Sequence, residues 1–481
     1  MVVSVVSERS VVTKVFPVPL ARRSRNLIMS FVLVTFAALT CAGATALFGD
    51  GVLYALVLIG VATAAGAAMW VAVHRFEVFV LALLLIRPSL DRLPSIGPLD
   101  PSSMLALLFI VTASAWLAGR VHRGYRPSAV TMAFGALGAT AVISCLASPV
   151  PVLSAVAASK TLAGALMLAV LEQMLRERPE RARTLVAIVL ASAIVPGLTA
   201  LLQLATVGGT LIDPTIGLSR VVGTFVHPNP FATYLSMLIV LGLAVLPHLS
   251  RAMQPALSAF LLLSVVALAG TFSRGGWIAT ALGVALLIGM RSKLLLLVSV
   301  TVGGVAAWSV PAVRDRFADL GAPPPVAGVP ANSLQWRLEY WADVLPLAQR
   351  NPVTGIGFEA VQNTSPSGLP PHNAFVQAYV ELGMLGLAAL LAVIVTVALA
   401  LRQRIRHAEP GLERALALAA AGIALGLLAQ TLTENLLSQT MAFWYFAAAG
   451  ALGLPAQRRA REGARSGAAD APWRLATPAG A

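Results

Sequence analysis

The sequence predicts an all-α polytopic membrane protein with about 12–14 transmembrane helices and one large polar loop that carries short helices. Three observations lead there. Of the 481 residues 58% are hydrophobic and only 11% are charged, against about 25% charged in soluble domains. The apolar residues fall in long runs, and bundled helices are the spanning structure such runs can form, because each helix satisfies its own backbone polar groups. The net charge of +14 is spread over short basic clusters between those runs. That is the pattern of membrane topology rather than of nucleic-acid binding.

Residues 1–26 are polar and basic, with Arg22, Arg23 and Arg25 just before the first apolar run. The run 27–48 is long enough to span and too long for the apolar core of a typical signal peptide, so it is read as an uncleaved first helix. Further apolar segments follow at about 51–73, 76–90, 101–119, 128–147, 151–175, 183–207, 231–249, 255–271, 275–290 and 293–310. Three more lie at 373–401, 413–433 and 437–454, which makes fourteen. The shortest set the lower bound: 76–90 ends in Arg87-Pro88, and 255–271 and 275–290 are hinged at Ser273-Arg274-Gly275-Gly276. The expected organisation is a tail (1–26), an N-terminal bundle of about 11 helices (27–310), a polar loop (311–372), about 3 C-terminal helices (373–455) and a disordered tail (456–481) rich in Arg, Ala, Gly and Pro. Cys41 and Cys145 both lie in apolar runs and are read as packing residues, without a disulfide framework or zinc site.

Charge sets the orientation. With the N-terminus in the cytoplasm and the segments alternating, 25 of the 34 Lys and Arg residues face the cytoplasm, as the positive-inside rule requires. Both termini are then cytoplasmic. The opposite side keeps Arg87, Arg92, Arg220, Arg274, Arg314, Arg316, Arg337 and Arg350, while Lys160 stays within a helix. The same alternation places His227-Pro228-Asn229, Ser273-Arg274 and the 311–372 loop on one outer face.

Several polar residues on that face have two readings. Arg220 is either a solvated residue of an ordinary connector or part of a functional loop; Pro228 and Pro230 hold helix formation back until Phe231. Arg274 either snorkels to the headgroups or faces a polar cavity, and Gly275-Gly276 beside it would admit close approach of backbone or ligand. His372 follows Pro370-Pro371, which fixes its position at the head of a helix, as a structural or a catalytic residue. Asn373, Gln377 and Glu381 share a face of that helix. A carboxylate at the depth of Glu381 needs a partner, with Lys160 and the outer arginines as candidates. Arg337, Tyr340 and Trp341 fall at i, i+3 and i+4, one face of an amphipathic helix lying on the membrane, which leaves Arg337 able to touch a ligand as well. Glu434-Asn435 reads as a simple turn. No P-loop, dinucleotide-binding glycine pattern, zinc-type cluster or outer Asp-x-Asp pair occurs. A diphosphate bound on this face would be neutralised by arginines, whose planar fork suits phosphate oxygens.

Together these stretches resemble the O-antigen ligase / O-antigen polymerase superfamily of bacterial envelope glycosyltransferases. The similarity runs through Arg220 with Gly223-Thr224-Phe225 and His227-Pro228-Asn229, then Ser273-Arg274-Gly275-Gly276, then Arg337 with Trp341. It continues in Pro352-Val353-Thr354-Gly355-Ile356-Gly357 and ends in His372-Asn373 and Glu381-Leu382-Gly383-Met384-Leu385-Gly386, so that it covers about 200–390. The N-terminal half is similar only in hydropathy. The resemblance implies a metal-independent, cofactor-free, inverting enzyme of the bacterial inner membrane with a periplasmic active site. It implies transfer of a glycan from undecaprenyl diphosphate to lipid A–core, to another repeat unit or to a protein, in lipopolysaccharide or exopolysaccharide assembly. By position, Arg220 and Arg274 would hold the donor diphosphate and His372 would act on the acceptor hydroxyl, with Asn229, Ser273, Arg337, Asn373, Glu381 and Lys160 in support. The partners implied are that donor, a glycan or lipid A–core acceptor and membrane lipids, without nucleic acid. The rival is a transporter or flippase of lipid-linked oligosaccharides. It should show internal repeats and polar residues near the bilayer midplane; only Lys160 and Glu381 come close, and no repeat is visible.

Overall fold

The computed structural model describes residues 63, 66–92, 101–206, 211–213, 218–318 and 333–454. The predicted span at 27–48, most of that at 51–73 and the two tails lie outside them. The chain divides into two compact units, Met1–Val80 and Leu81–Ala481, and the site lies in the second.

The described residues are almost entirely helical. First come α1 (Phe76–Ile86), α2 (Pro101–Val121), α3 (Ala129–Ser144) and α4 (Pro151–Glu177). Next, α5 (Arg181–Ala191) and α6 (Ile194–Ala205) make up one span interrupted by a turn. A short antiparallel pair, β1 (Leu211–Asp213) and β2 (Leu218–Arg220), leads to α7 (Pro228–Val245). The shorter apolar helices α8 (Gln254–Gly270), α9 (Arg274–Gly289) and α10 (Lys293–Trp308) follow. The polar segment carries α11 (Pro311–Ala318), α12 (Ser333–Val344) and the single turn α13 (Val361–Thr364). Last are α14 (Ala374–His407), α15 (Leu412–Gln430) and α16 (Thr440–Gly453). Among the described residues 7 helices are long and apolar enough to cross a membrane. The architecture is that of an all-α polytopic membrane protein.

Helix α16 is buried along its whole length and packs against α4, α15 and α7. Lipid is as apolar as leucine, so helices in a membrane gain by close van der Waals approach at small residues. The α9–α15 contact does this: a Cβ added at Gly422 would lie 3.0 Å from the Gly283 carbonyl oxygen. Gly276 has the same use, since its missing side chain makes room for Ala232 of α7, 2.5 Å from where a Cβ would stand. Its space is therefore filled by a helix rather than open to a ligand.

The apolar run 373–401 reads as one continuous helix, but α14 is broken at Gly383, where φ is 69° and ψ −167°. The segment Pro352–Gly357 fills the break. Ile356 and Gly357 donate their N–H groups to the Val380 and Glu381 carbonyls (both 3.1 Å), and the Met384 and Leu385 N–H groups donate to the Pro352 and Val353 carbonyls (2.9 and 3.2 Å). The freed groups of the helix thus find protein partners, the condition for irregular backbone at membrane depth. Glu381 completes the joint: its carboxylate accepts from the Glu359 and Val361 N–H groups (2.9 and 3.2 Å) and from Gln377 Nε2 (2.9 Å). The expected cationic partner, Lys160 or an outer arginine, is replaced by these neutral donors, because the break turns the 357–361 stretch onto the carboxylate.

The joint also redirects α12. Tyr340 and Val344 pack with Ile356, Ala360, Val361 and Val380. Tyr340 shares its hydroxyl with Ser365 (2.7 Å) and donates to the Leu369 carbonyl, and Trp341 donates to the Pro371 carbonyl (2.7 Å). The Arg337, Tyr340 and Trp341 face therefore covers protein instead of lying on the membrane.

Two glycines should be indispensable to this joint. A Cβ at Gly355 (φ 77°) would stand 2.2 Å from the Glu381 carbonyl, and one at Gly383 2.3 Å from the Val353 oxygen. Gly355→Ala and Gly383→Ala should each cost on the order of 3 kcal/mol or more, read as a large drop in melting temperature in detergent. Gly303→Ala, with nothing within 4 Å, is the neutral control.

Candidate functional site

Arg220 ends β2 and is tied down on both sides. Val221 donates to the Gly270 carbonyl (2.9 Å), and the Gln203 side chain of α6 accepts from the Val222 and Gly223 N–H groups (3.0 and 2.9 Å). Arg220 is 6% exposed. It donates from Nε to the Thr271 carbonyl (2.8 Å) and from Nη2 to Asn229 Oδ1 (3.0 Å). Asn229 passes the connection on, donating from Nδ2 to Glu434 Oε1 (2.7 Å). The same carboxylate oxygen stands 4.0 Å from Arg337 Nη2. A partly buried chain Arg220–Asn229–Glu434–Arg337 results, made of residues from three separate stretches of sequence.

His372 adjoins this chain. The Trp336 ring meets it edge-on at 5.7 Å while stacking on Tyr340 at 5.1 Å. Its backbone is in the left-handed region (φ 52°), rare for a residue with a side chain and a sign of a position held by its surroundings. Nδ1 is buried and has no hydrogen-bond partner. Burial first, then the positive charges of Arg337 and His227, lower its pKa to about 4. At neutral pH the ring is an uncharged imidazole.

Asn373 and Ser273 are helix caps. Asn373 Oδ1 accepts from the Phe375 and Val376 N–H groups (2.8 and 3.1 Å), its amide donates to the Leu432 carbonyl (3.2 Å), and Ala374 donates to the Thr431 carbonyl (2.8 Å). The start of α14, with His372, is thereby fastened to the turn that carries Glu434. Ser273 Oγ accepts from Gly276 (3.4 Å) and starts α9 with Arg274 as its first residue. Beside it, the Gly275 carbonyl accepts from Gln430 Nε2 (3.4 Å), so the half-buried Arg274 stands at the same turn.

Arg220, Asn229, Ser273, Arg274, Arg337, His372 and Asn373 are thus gathered around residues 430–434. Glu381 is separate, two turns down α14 and engaged in the helix joint. Lys160 stands on α4 beside Thr161, whose hydroxyl donates to the Leu437 carbonyl (3.3 Å). Glu434 is the residue that sequence reasoning passed over; an acidic residue in a short turn on an arginine-rich face was the available signal. Burial raises its pKa to about 7, against the opposing pull of Arg337, Asn229 and Arg220. Among the described residues no group of three His, Cys, Asp or Glu could hold a metal ion.

Fold and cluster together define a multi-span helical membrane protein with a cationic site and a basic imidazole at the ends of its helices. Residues 259–391 match the O-antigen ligase family, a segment that contains Arg274, Arg337, His372 and Glu381. Over that segment the chain is similar to the O-antigen ligase family, and the match supports the O-antigen ligase/polymerase superfamily, with glycosyl transfer as the broad class of activity that it implies. No curated protein matches the chain.

Glu434 gives the site a pH dependence with a definite sign. Below about 7 its carboxyl is neutral and no longer offsets the charge of Arg220 and Arg337. Sulfate, whose charge is constant in this range, should bind roughly three- to tenfold tighter at pH 6 than at pH 8. Glu434→Gln should bind it tightly at both values, as read by thermal shift. A second expectation is that Asn373→Ala lowers stability by about 1–2 kcal/mol through the lost cap, measured by thermal unfolding.

Proposed function

We propose that the protein is a metal-independent, inverting glycosyltransferase that moves a glycan from undecaprenyl diphosphate to an acceptor hydroxyl. The observation that supports this most is the buried, unpartnered Nδ1 of His372 beside Arg337 and the Arg220–Asn229–Glu434 chain. In the proposed reaction the acceptor oxygen attacks the anomeric carbon from the face opposite the diphosphate. The bond from that carbon to the diphosphate oxygen breaks, and its electron pair leaves with undecaprenyl diphosphate. The hydroxyl proton passes to the His372 imidazole, acting as general base. Arg220 and Arg274, with Arg337, stabilise the charge that builds on the leaving group. These guanidinium groups are held in place beforehand, so they cost little reorganisation in the transition state.

On this reading the protein sits in the bacterial inner membrane, with both termini in the cytoplasm and the site at the periplasmic surface. On the same reading the described part of the polar segment, 333–372, roofs the site. Lipid A–core and a further repeat unit are the acceptors this chemistry serves, in lipopolysaccharide or exopolysaccharide assembly. One observation favours the rival transporter, since broken helices mark transport sites. The break in α14 is already satisfied by the chain's own Pro352–Gly357 and Glu381, which leaves it engaged in structure.

His372→Ala should leave the protein folded and inserted while lowering transfer by roughly 10²–10⁴-fold; normal transfer by an inserted variant would remove the catalytic role. Arg274→Lys keeps the charge and loses the fork. Turnover of the donor should fall at least tenfold, and unchanged turnover would mark Arg274 as a residue that only meets the headgroups.

A further inference from the structure

The loop that joins Arg220 to its partner Asn229 is gripped by a neighbouring helix. Pro196, Ala200 and Gln203 are the buried residues of α6. They fall at i, i+4 and i+7, on one face of the helix, and that face meets the loop. At Pro196 the contact is steric. Gly223 has φ 57°, and a Cβ added to it would stand 3.0 Å from the Pro196 carbonyl oxygen. At Gln203 the contact is polar. Its Oε1 accepts from the Val222 and Gly223 N–H groups (3.0 and 2.9 Å), and its Nε2 donates to the Gly223 carbonyl (2.9 Å). These partners settle the orientation of the amide, since a turned amide would set its own N–H groups against two others.

Packing alone does not call for glutamine at this place. The helix is apolar, Gln203 is buried, and a buried amide is costly unless its groups are paired. Here they are paired with the backbone of the loop that carries Arg220. Arg220 Nη2 donates to Asn229 Oδ1 (3.0 Å), so the guanidinium bridges the two ends of that loop. Between those ends the loop is held from outside. Val221 donates to the Gly270 carbonyl (2.9 Å), and the Thr224 hydroxyl donates to the Pro88 carbonyl (2.6 Å). Each of these is a single bond, whereas Gln203 makes three. A shift of Val222 and Gly223 would move the root of Arg220 relative to Asn229, and with it the direction of the guanidinium.

We propose that Gln203 is a positioning residue, which sets Arg220 for the anion it binds while touching no substrate itself. The assignment rests on the glycosyl-transfer reading above, in which Arg220 stabilises the leaving diphosphate. The test is a double-mutant cycle in the full-length protein. Gln203→Met removes the three hydrogen bonds at similar volume. With a defined undecaprenyl-diphosphate glycan, kcat/KM for the donor should fall about tenfold or more. On an Arg220→Ala background the same substitution should change it by less than about twofold, because the residue it acts through is gone. Equal losses on both backgrounds, or no loss on the wild-type background, overturn the proposal. Sulfate binding, read by thermal shift, repeats the cycle without turnover. Gln203→Met should weaken sulfate about threefold or more when Arg220 is present and leave it unchanged on the Arg220→Ala background. Equal weakening on both backgrounds, or none on either, overturns the proposal. If the wild type transfers no glycan while the sulfate cycle shows this coupling, the function reading fails and the positioning of Arg220 stands. Gln203→Asn, which keeps the amide on a shorter stem, is carried through the same cycle in case Gln203→Met does not fold. Failure of both to fold would make Gln203 a stability residue and overturn the proposal.

Discussion

The rest of the site depends on a backbone exchange inside the membrane-spanning part of the chain. At Gly383 helix α14 gives up its own hydrogen bonds and takes new ones from Pro352–Gly357, while the Glu381 carboxylate accepts the N–H groups of Glu359 and Val361. A broken helix in an apolar medium is tolerable only when every freed group is met. Here the irregular segment Pro352–Gly357 meets them, and the Glu381 carboxylate in turn accepts the N–H groups that follow that segment. The exchange fixes the first turns of α14, and with them His372 at the helix head. It also anchors the polar segment, so that Trp336 of α12 meets the His372 ring and the charge of Arg337 acts on it.

Electrostatics follow from that arrangement. Arg220 and Arg337 come from distant stretches and share one carboxylate, Glu434, through Asn229 and a direct 4.0 Å approach. Two guanidinium groups held beside one carboxylate in a partly buried site suit an anion such as a diphosphate. His372 is kept neutral by the same surroundings, since burial and nearby positive charge both oppose its protonation. Cations that bind an anion therefore also preserve the basic form of the neighbouring imidazole.

Much of this was legible in the sequence, for physical reasons. Apolar runs long enough to span can only be helices, so the fold class followed from hydropathy. Arg220, Arg274 and His372 stood out because charged or titratable residues are rare in such a chain and because the basic count placed them on one face. The break at Gly383 was hidden because Gly383 sits in an otherwise uninterrupted apolar run, and the partners that make a break tolerable are some thirty residues away. For the same reason Gly355 could be seen as part of a motif but not as a contact. Glu434 was read as a turn because its partners, Asn229 and Arg337, are brought to it only by folding. Tyr340 and Trp341 kept helical spacing with Arg337, yet spacing alone does not say whether a face meets lipid or protein.

The proposed reaction is a one-step displacement at the anomeric carbon, with diphosphate leaving on one side and a hydroxyl oxygen, losing its proton to His372, arriving on the other. The most direct test is the configuration of the new glycosidic bond. Purified full-length protein would be incubated with an undecaprenyl-diphosphate glycan of known anomeric configuration and with lipid A–core or repeat-unit acceptors, and the product linkage assigned by NMR coupling constants. The account predicts a product of inverted configuration. A retained configuration, or no product with any of these acceptors, would contradict it.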